Sequence, residues 1–160
     1  TETDLGEVLP VFEGQSGYAT PKLDVRGVVF REDKILMVRE LADNGNWTLP
    51  GGWVDVNTSP SKAVEKEMRE EAGVIVDAVK LLAVYDRNLH GHPYYPFHTW
   101  KLFILCNLLS EATPDPLETA EPTYFSERNL PELSVNRVTA EEIARMFEHH
   151  RSPDLPTDFD

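Results

Sequence analysis

The chain has 160 residues, with 28 acidic against 15 basic side chains and a formal net charge of −13. That length supports one domain with its own core, and 41% hydrophobic with 27% charged residues is the composition of a soluble globular protein. A surface this acidic argues against DNA, RNA or anionic membranes as partners, and no run approaches the roughly 20 apolar residues that cross a bilayer.

Residues 1–22 carry glycine, proline and acidic residues without periodicity and are expected to form an arm or linker. Their start, TETDLGEVLPVF, lacks the basic segment of a signal peptide. Asp24–Phe30 and Lys34–Arg39 are β-rich runs around a turn at Arg31–Asp33, which predicts a hairpin. After the polar loop Leu41–Asn46, Trp47–Leu49 is a short strand leading to Pro50, Gly51 and Gly52. Paired glycines there allow a close backbone approach to a ligand. Trp47 and Trp53 bracket them and read as packing residues.

The next helix is well punctuated. Ser59 is the expected N-cap, Pro60 the first helical residue and Gly73 the residue just past the end. Val64, Met68 and Ala72 form an apolar stripe at four-residue spacing that should pack on a sheet. Beside that stripe stand Glu67, Glu70 and Glu71. Like charges at three- and four-residue spacing repel on a helix, each pair by a few tenths of a kcal/mol. A cation over them relieves the repulsion, and an all-oxygen cluster suits a hard divalent ion whose shell is completed by substrate phosphates. The cluster points to metal-dependent phosphate chemistry.

Further strands are expected at Val79–Tyr85, Phe97–Leu108 and Thr123–Ser126. Asn88–Pro96 between the first two is a loop rich in His, Tyr and Pro. His90, His92 and His98 have no cysteine or further histidine to complete a zinc set, so the loop is expected to touch substrate or act as a lid. Cys106 lies in the apolar run KLFILCNLL and reads as a buried structural thiol; as the only cysteine it can form no intrachain disulfide, which suits a cytoplasmic protein. Thr139 with Glu142 forms a capping box opening a helix to about His150, and 151–160 are expected to be a flexible tail.

The stretch GGWVDVNTSPSKAVEKEMREEAGV resembles the Nudix box, G-x5-E-x7-R-E-U-x-E-E-x-G-U with U a bulky aliphatic residue. With the first glycine set on Gly52, Glu67, Met68, Glu70, Glu71, Gly73 and Val74 fall in register, while Thr58 replaces the first glutamate and Lys66 the arginine. YATPKLDVRGVVF, KILMVRE, WTLPGGWVDV, VKLLAVYDRN, PFHTWKLFILC and YFSERNLPELS extend the likeness over about residues 18–150. They resemble a Nudix subgroup that hydrolyses ADP-ribose, CDP-choline or related compounds and carries an N-terminal helical segment, which looks truncated here. A homodimer built through that segment therefore stays open.

The resemblance implies an α/β/α sandwich with a mixed sheet, spanning residues 23–150. It implies metal-dependent hydrolysis of the pyrophosphate bond in a nucleoside diphosphate linked to X, a small-molecule nucleotide substrate. Glu67 and Glu71 are the implied principal ligands of Mg²⁺ or Mn²⁺, with Glu70 a third and the Gly52 carbonyl a backbone ligand. Candidates for catalytic roles are Glu70, Glu118 and Glu121 as general base and Lys66 as a group orienting Glu67 or touching phosphate. Candidates for substrate binding are Arg26, Arg39, Tyr94 and His98. Two alternatives remain beside this reading: a Nudix domain that senses a nucleotide without hydrolysing it, which Thr58 favours, and a pyrophosphatase of nucleoside triphosphates.

Overall fold

Alternation of side chains along the strands accounts for the layering. The computed structural model describes residues 17–111 and 120–160. In β3 (Lys34–Glu40), Leu36 and Val38 enter one buried cluster, and Ile35 and Met37 enter another. In β7 (Thr99–Glu111), Leu102, Ile104 and Cys106 join the first cluster and Phe103 the second. Residues two apart share a face of a sheet and neighbours do not, so each strand seals two cores. Helix α1 (Pro60–Glu67) closes the first core with Ala63 and Val64, and α2 (Ala140–Arg151) closes the second with Ile143, Met146 and Phe147. The result is the α/β/α sandwich that the resemblance implies.

The strands divide between two sheets. Among the described residues, one sheet is five-stranded and mixed, in the order β5 (Gly51–Trp53), β1 (Lys22–Val28), β7, β6 (Val74–Asp86), β9 (Asp158–Phe159). The pairs β1/β7 and β6/β9 are parallel, β1/β5 and β6/β7 antiparallel. In the second sheet, β3 pairs antiparallel with β2 (Phe30–Arg31), β4 (Asn46–Thr48) and β8 (Ala120–Ser126). The hairpin expected between the two early β runs is therefore shorter than the sequence suggested. It joins β2 to β3 through Glu32 and Asp33, both at positive φ (51° and 59°), the geometry that suits a two-residue hairpin turn. β1 ends at Val28 and pairs with β5 and β7 in the five-stranded sheet, whereas β2 and β3 belong to the second.

Helix α1 is bounded as its punctuation predicts. The Ser59 hydroxyl accepts the Lys62 N–H at 3.2 Å, Pro60 opens the helix, and Gly73 takes φ 63°, a left-handed conformation that glycine adopts without strain. The helix does not stay α to its end. Met68–Ala72 form a widened, π-type turn, which the sequence pattern did not signal. Met68 and Ala72 still reach the core, 0% and 4% exposed.

Two glycines set how closely the layers approach. A β-carbon on Gly27 would fall 2.2 Å from the Met68 sulfur, so this glycine admits α1 onto β1. A β-carbon on Gly51 would fall 1.8 Å from the Val25 carbonyl oxygen, which is backbone and cannot step aside.

The segment 151–160 is not the flexible tail expected from its Pro and Asp content. It returns to the five-stranded sheet as β9 beside β6. The Asp158 carboxylate accepts two bonds from Arg145 at 2.7 and 2.8 Å and one from the Tyr85 hydroxyl at 2.8 Å, and His149 Nε2 lies 3.2 Å away. Those contacts offset the chain entropy that composition alone would leave unopposed. Cys106 is buried as expected, and burial pushes its thiol up to about 12. No helix among the described residues is long and apolar enough to cross a membrane.

Two predictions follow from this packing. Gly51→Ala destabilises the fold by at least about 2 kcal/mol, read as a lowered midpoint in urea, because the β1/β5 pair must separate to admit the methyl group. The guanidinium of Arg145 holds the Asp158 carboxyl below its ordinary value of 3.8. A carboxyl depressed on folding stabilises above its ordinary pKa and loses that contribution as pH falls below it. Asp158→Asn therefore costs about 2 kcal/mol at pH 7, and the difference from wild type shrinks as unfolding is followed below pH 4.

Candidate active site

The short strand β5 carries the junction between two halves of the site. Its Gly51 N–H donates to Glu71 Oε2 at 2.9 Å. A β-carbon on Gly52 would meet the Glu67 carboxylate at 3.2 Å, so that carboxylate lies directly over the glycine. One turn of helix thus brings two of the three box glutamates onto the paired glycines. Burial raises the Glu71 carboxyl to about 7, and the neighbouring charges of Glu67 and Glu40 add to this; the Gly51 N–H and Arg26 oppose it without cancelling it. A carboxyl so placed favours any cation that would let it ionise.

On the opposite face of the same strands lies a cleft of about 450 Å³. Its floor is a buried charge triad. Arg26 donates to Asp24 at 2.8 and 3.0 Å and to the Leu49 carbonyl at 2.9 Å, and Lys101 donates to the same aspartate. All three residues are 6% exposed or less. Burial works against the charge on Asp24, but Arg26 and Lys101 outweigh it and hold this carboxyl below the usual range. Burial pulls the Lys101 amine down although Asp24 opposes that. Arg87 and Arg137 also line the cleft, against the acids Asp24 and Glu40. Four cations converge there on a chain of net charge −13. Such a cleft focuses positive potential where the rest of the surface repels anions.

Of the residues picked out from sequence, Gly52, Glu67 and Glu71 come together on the helix side, and Arg26 and Tyr94 line the cleft. Glu70 is half-buried on the widened turn. Lys66 is exposed, 3.7 Å from Asp55. Arg39 is directed to the Gly45 carbonyl at 3.2 Å and is not among the cleft's lining residues. His98 lies 3.1 Å from Asp86, His90 2.8 Å from Asp160 and His92 2.9 Å from Glu142. Each loop histidine thus meets a carboxylate of its own. Glu121 is exposed on β8, and Glu118 lies outside the described residues.

Sequence reading missed Asp24, Lys101, Arg87, Glu40, Asn136 and Arg137, all of which line the cleft. A signal existed for two of them. Asp24 and Lys101 interrupt apolar runs, DVRGVVF and TWKLFILC, at positions whose parity turns them inward, and a charge there requires a partner.

The donors gathered at Gly51 and Gly52 are the carboxylate oxygens of Glu67 and Glu71, which is the chemistry of a hard divalent cation. Among the described residues no three acidic, histidine or cysteine side chains close into a complete coordination cluster. The set fits a cation that takes its remaining ligands from water and phosphate.

Comparisons with known proteins give the chain a family. The NUDIX domain family matches residues 20–150. The chain is 41% identical over all of its 160 residues to YjhB of Bacillus subtilis (strain 168), provisionally named an ADP-ribose pyrophosphatase, and spans 76% of that protein. The crystal structure of an ADP-ribose pyrophosphatase from Streptococcus suis 89-1591 matches with TM-score 0.79 and 44% identity, over 88% of this chain and 100% of that one. The crystal structure of a UDP-X diphosphatase matches with TM-score 0.81 and 32% identity, over 100% of this chain and 77% of that one. Sequence and fold agree over nearly the whole chain, and it belongs to the Nudix family of hydrolases.

Proposed function

We propose that this hydrolase splits the pyrophosphate bond of a nucleoside diphosphate linked to X, of the ADP-ribose type, into a nucleoside monophosphate and phosphorylated X. The observation that carries the reading is the division of labour across β5. Glu67 and Glu71 face Gly51 and Gly52 on one side, and a cleft floored by Arg26 and Lys101 opens on the other. A pyrophosphate lying over the glycines reaches both. The likeness to an ADP-ribose pyrophosphatase and a UDP-X diphosphatase supports the same substrate class.

Glu67, Glu71 and the Gly52 carbonyl are the groups proposed to hold Mg²⁺ or Mn²⁺. Such an ion, when bound, neutralises phosphate oxygens and lowers the pKa of a coordinated water. The protein's own residues supply position and charge. Arg26, fixed on Asp24 and Leu49, offers a guanidinium that does not have to be ordered on binding, and Lys101 adds a second buried cation. Water adds to one phosphorus, the bridging P–O bond breaks, and the bridging oxygen leaves with the other phosphate. The water's proton passes to a carboxylate. Glu70 on the widened turn is one proposed acceptor, Glu121 on β8 a second and Glu118 a third. Lys66 is proposed to hold the box loop through Asp55 and to touch phosphate from there.

The test is product release from ADP-ribose, CDP-choline and UDP-glucose. AMP and ribose 5-phosphate should appear from ADP-ribose, cease with EDTA and return with Mg²⁺ or Mn²⁺. Glu67→Gln and Glu71→Gln should each lower turnover at least about a hundredfold. Tight binding of a diphosphate without turnover overturns this reading and supports the sensor that Thr58 suggests.

Glu71 also makes a pH prediction for the metal-free protein. Its carboxyl rises from an ordinary 4.5 to about 7 on folding, so the folded state holds a proton that the unfolded state has released. Stability of the metal-free protein should therefore fall as pH rises from about 4.5 to about 7, then level. Glu71→Gln removes that slope and raises stability at pH 8, by an amount on the order of 2 kcal/mol. Mn²⁺ affinity should run the other way, tightening from pH 6 to pH 8 as the carboxyl ionises, which titration calorimetry reads directly.

A further inference from the structure

Trp53 follows Gly52 directly, and the sequence suggested that it packs. Its indole is instead 46% exposed. Alternation along β5 explains where it goes. Gly52 faces Glu67, so Trp53 turns to the other face, opposite Asp24 in the β1/β5 register, where both line the cleft.

Across the cleft stands Tyr95, from the loop between β6 and β7. The two rings are nearly parallel, 22° apart in plane, with centroids 6.4 Å apart. Both rings line the cleft, and their nearly parallel planes are oriented to take a flat ring between them.

The far wall is braced. The Arg87 guanidinium lies 5.3 Å from the Tyr95 centroid. Arg87 is held in turn by the Pro93 carbonyl at 2.7 Å and the Asn136 carbonyl at 3.1 Å. Phe97 meets the Tyr95 ring at a steep angle, centroids 5.7 Å apart. The Lys22 ammonium lies 5.7 Å from the Trp53 centroid and 5.3 Å from that of Phe97. Aromatic faces, a fixed partner and neighbouring positive charge form a receptor for a flat, electron-rich ring attached to phosphates.

We propose that Trp53 and Tyr95 form the base slot, clasping the nucleobase between their faces while the diphosphate passes Gly52 toward Glu67 and Glu71. The assignment rests on the pyrophosphatase reading above and extends it to the base end of the substrate. Every base has a π face, and stacking discriminates poorly among them. The slot therefore accepts adenine and uracil alike, and the choice of X is left to the rest of the cleft.

The experiment combines kinetics with tryptophan emission. Trp53→Ala should raise KM for both ADP-ribose and UDP-glucose about tenfold, with most of the loss in KM rather than kcat. Trp53→Phe, which restores a stacking face, should recover most of that binding. In the wild-type protein AMP and UMP should quench tryptophan emission and ribose 5-phosphate should not, and Trp53→Phe should abolish the quench. Because Trp53 is half exposed, thermal unfolding of both variants is expected to match wild type and serves as the folding control. Unchanged KM for both substrates in a folded Trp53→Ala protein overturns the slot, as does an AMP quench that survives in Trp53→Phe. If the wild type hydrolyses no diphosphate, the pyrophosphatase reading fails, and the AMP quench then decides the slot by itself.

Discussion

The approach of two strands too close for any side chain is the constraint on which the site depends. Gly51 lies where a β-carbon would fall 1.8 Å from the Val25 carbonyl oxygen. Because the gap is empty, β5 pairs flush with β1, and the Gly51 N–H reaches the Glu71 carboxylate. Gly27 plays the corresponding part for the helix, admitting the Met68 side chain onto β1. Backbone closeness at these two points turns separate elements, a helix end and a sheet edge, into one surface. The carboxylates of the helix and the cations of the sheet then sit on either side of a strand only three residues long.

The electrostatics follow from that arrangement. A chain with an excess of acidic groups cannot recruit a polyanion over its general surface, but it can hold a few cations in a recess where they are desolvated and therefore strong. Two buried cations share Asp24 at the floor of the cleft. A single aspartate does not neutralise both, so the recess keeps a positive excess for a phosphate. Across β5 the sign reverses: burial raises the Glu71 carboxyl to about 7, with the charges of Glu67 and Glu40 adding to this against the Gly51 N–H and Arg26. Opposite deficits on the two sides of one strand suit a substrate that brings both phosphate and a bound cation.

How much of this the sequence disclosed depended on the range of the interactions involved. Helix α1 and the turn that follows it were legible because their signals are local: Ser59, Pro60, the stripe Val64–Met68–Ala72 and Gly73 all lie within one contiguous stretch, 59–73. The capping box at Thr139 was legible for the same reason, with both of its hydrogen bonds formed. The glutamates and the glycine pair were recognisable because they belong to one contiguous motif. Partners distant along the chain were not legible. Asp24 and Lys101 stand 77 positions apart and meet only because β1 and β7 run parallel in register. The last ten residues have the composition of a loose end, and contacts with distant residues, Tyr85, Lys80 and the helical Arg145 among them, hold them against the sheet. Trp53 was misjudged because its class argues for burial, whereas the parity of a three-residue strand decides which way it points.

The widened turn at Met68–Ala72 separates two demands that a regular helix would bind together. In an α-helix, the residues that pack and the residues that ligate keep fixed angles to one another, so any adjustment of one face moves the other. A turn of larger circumference accommodates an added residue, and turns of this kind recur at functional positions in helices. Here it carries Glu70 and Glu71 between Met68 and Ala72, both of which stay in the core. Packing and ligating residues therefore alternate within the same turn, so Met68 and Ala72 keep it seated on the sheet while Glu71 reaches the Gly51 N–H.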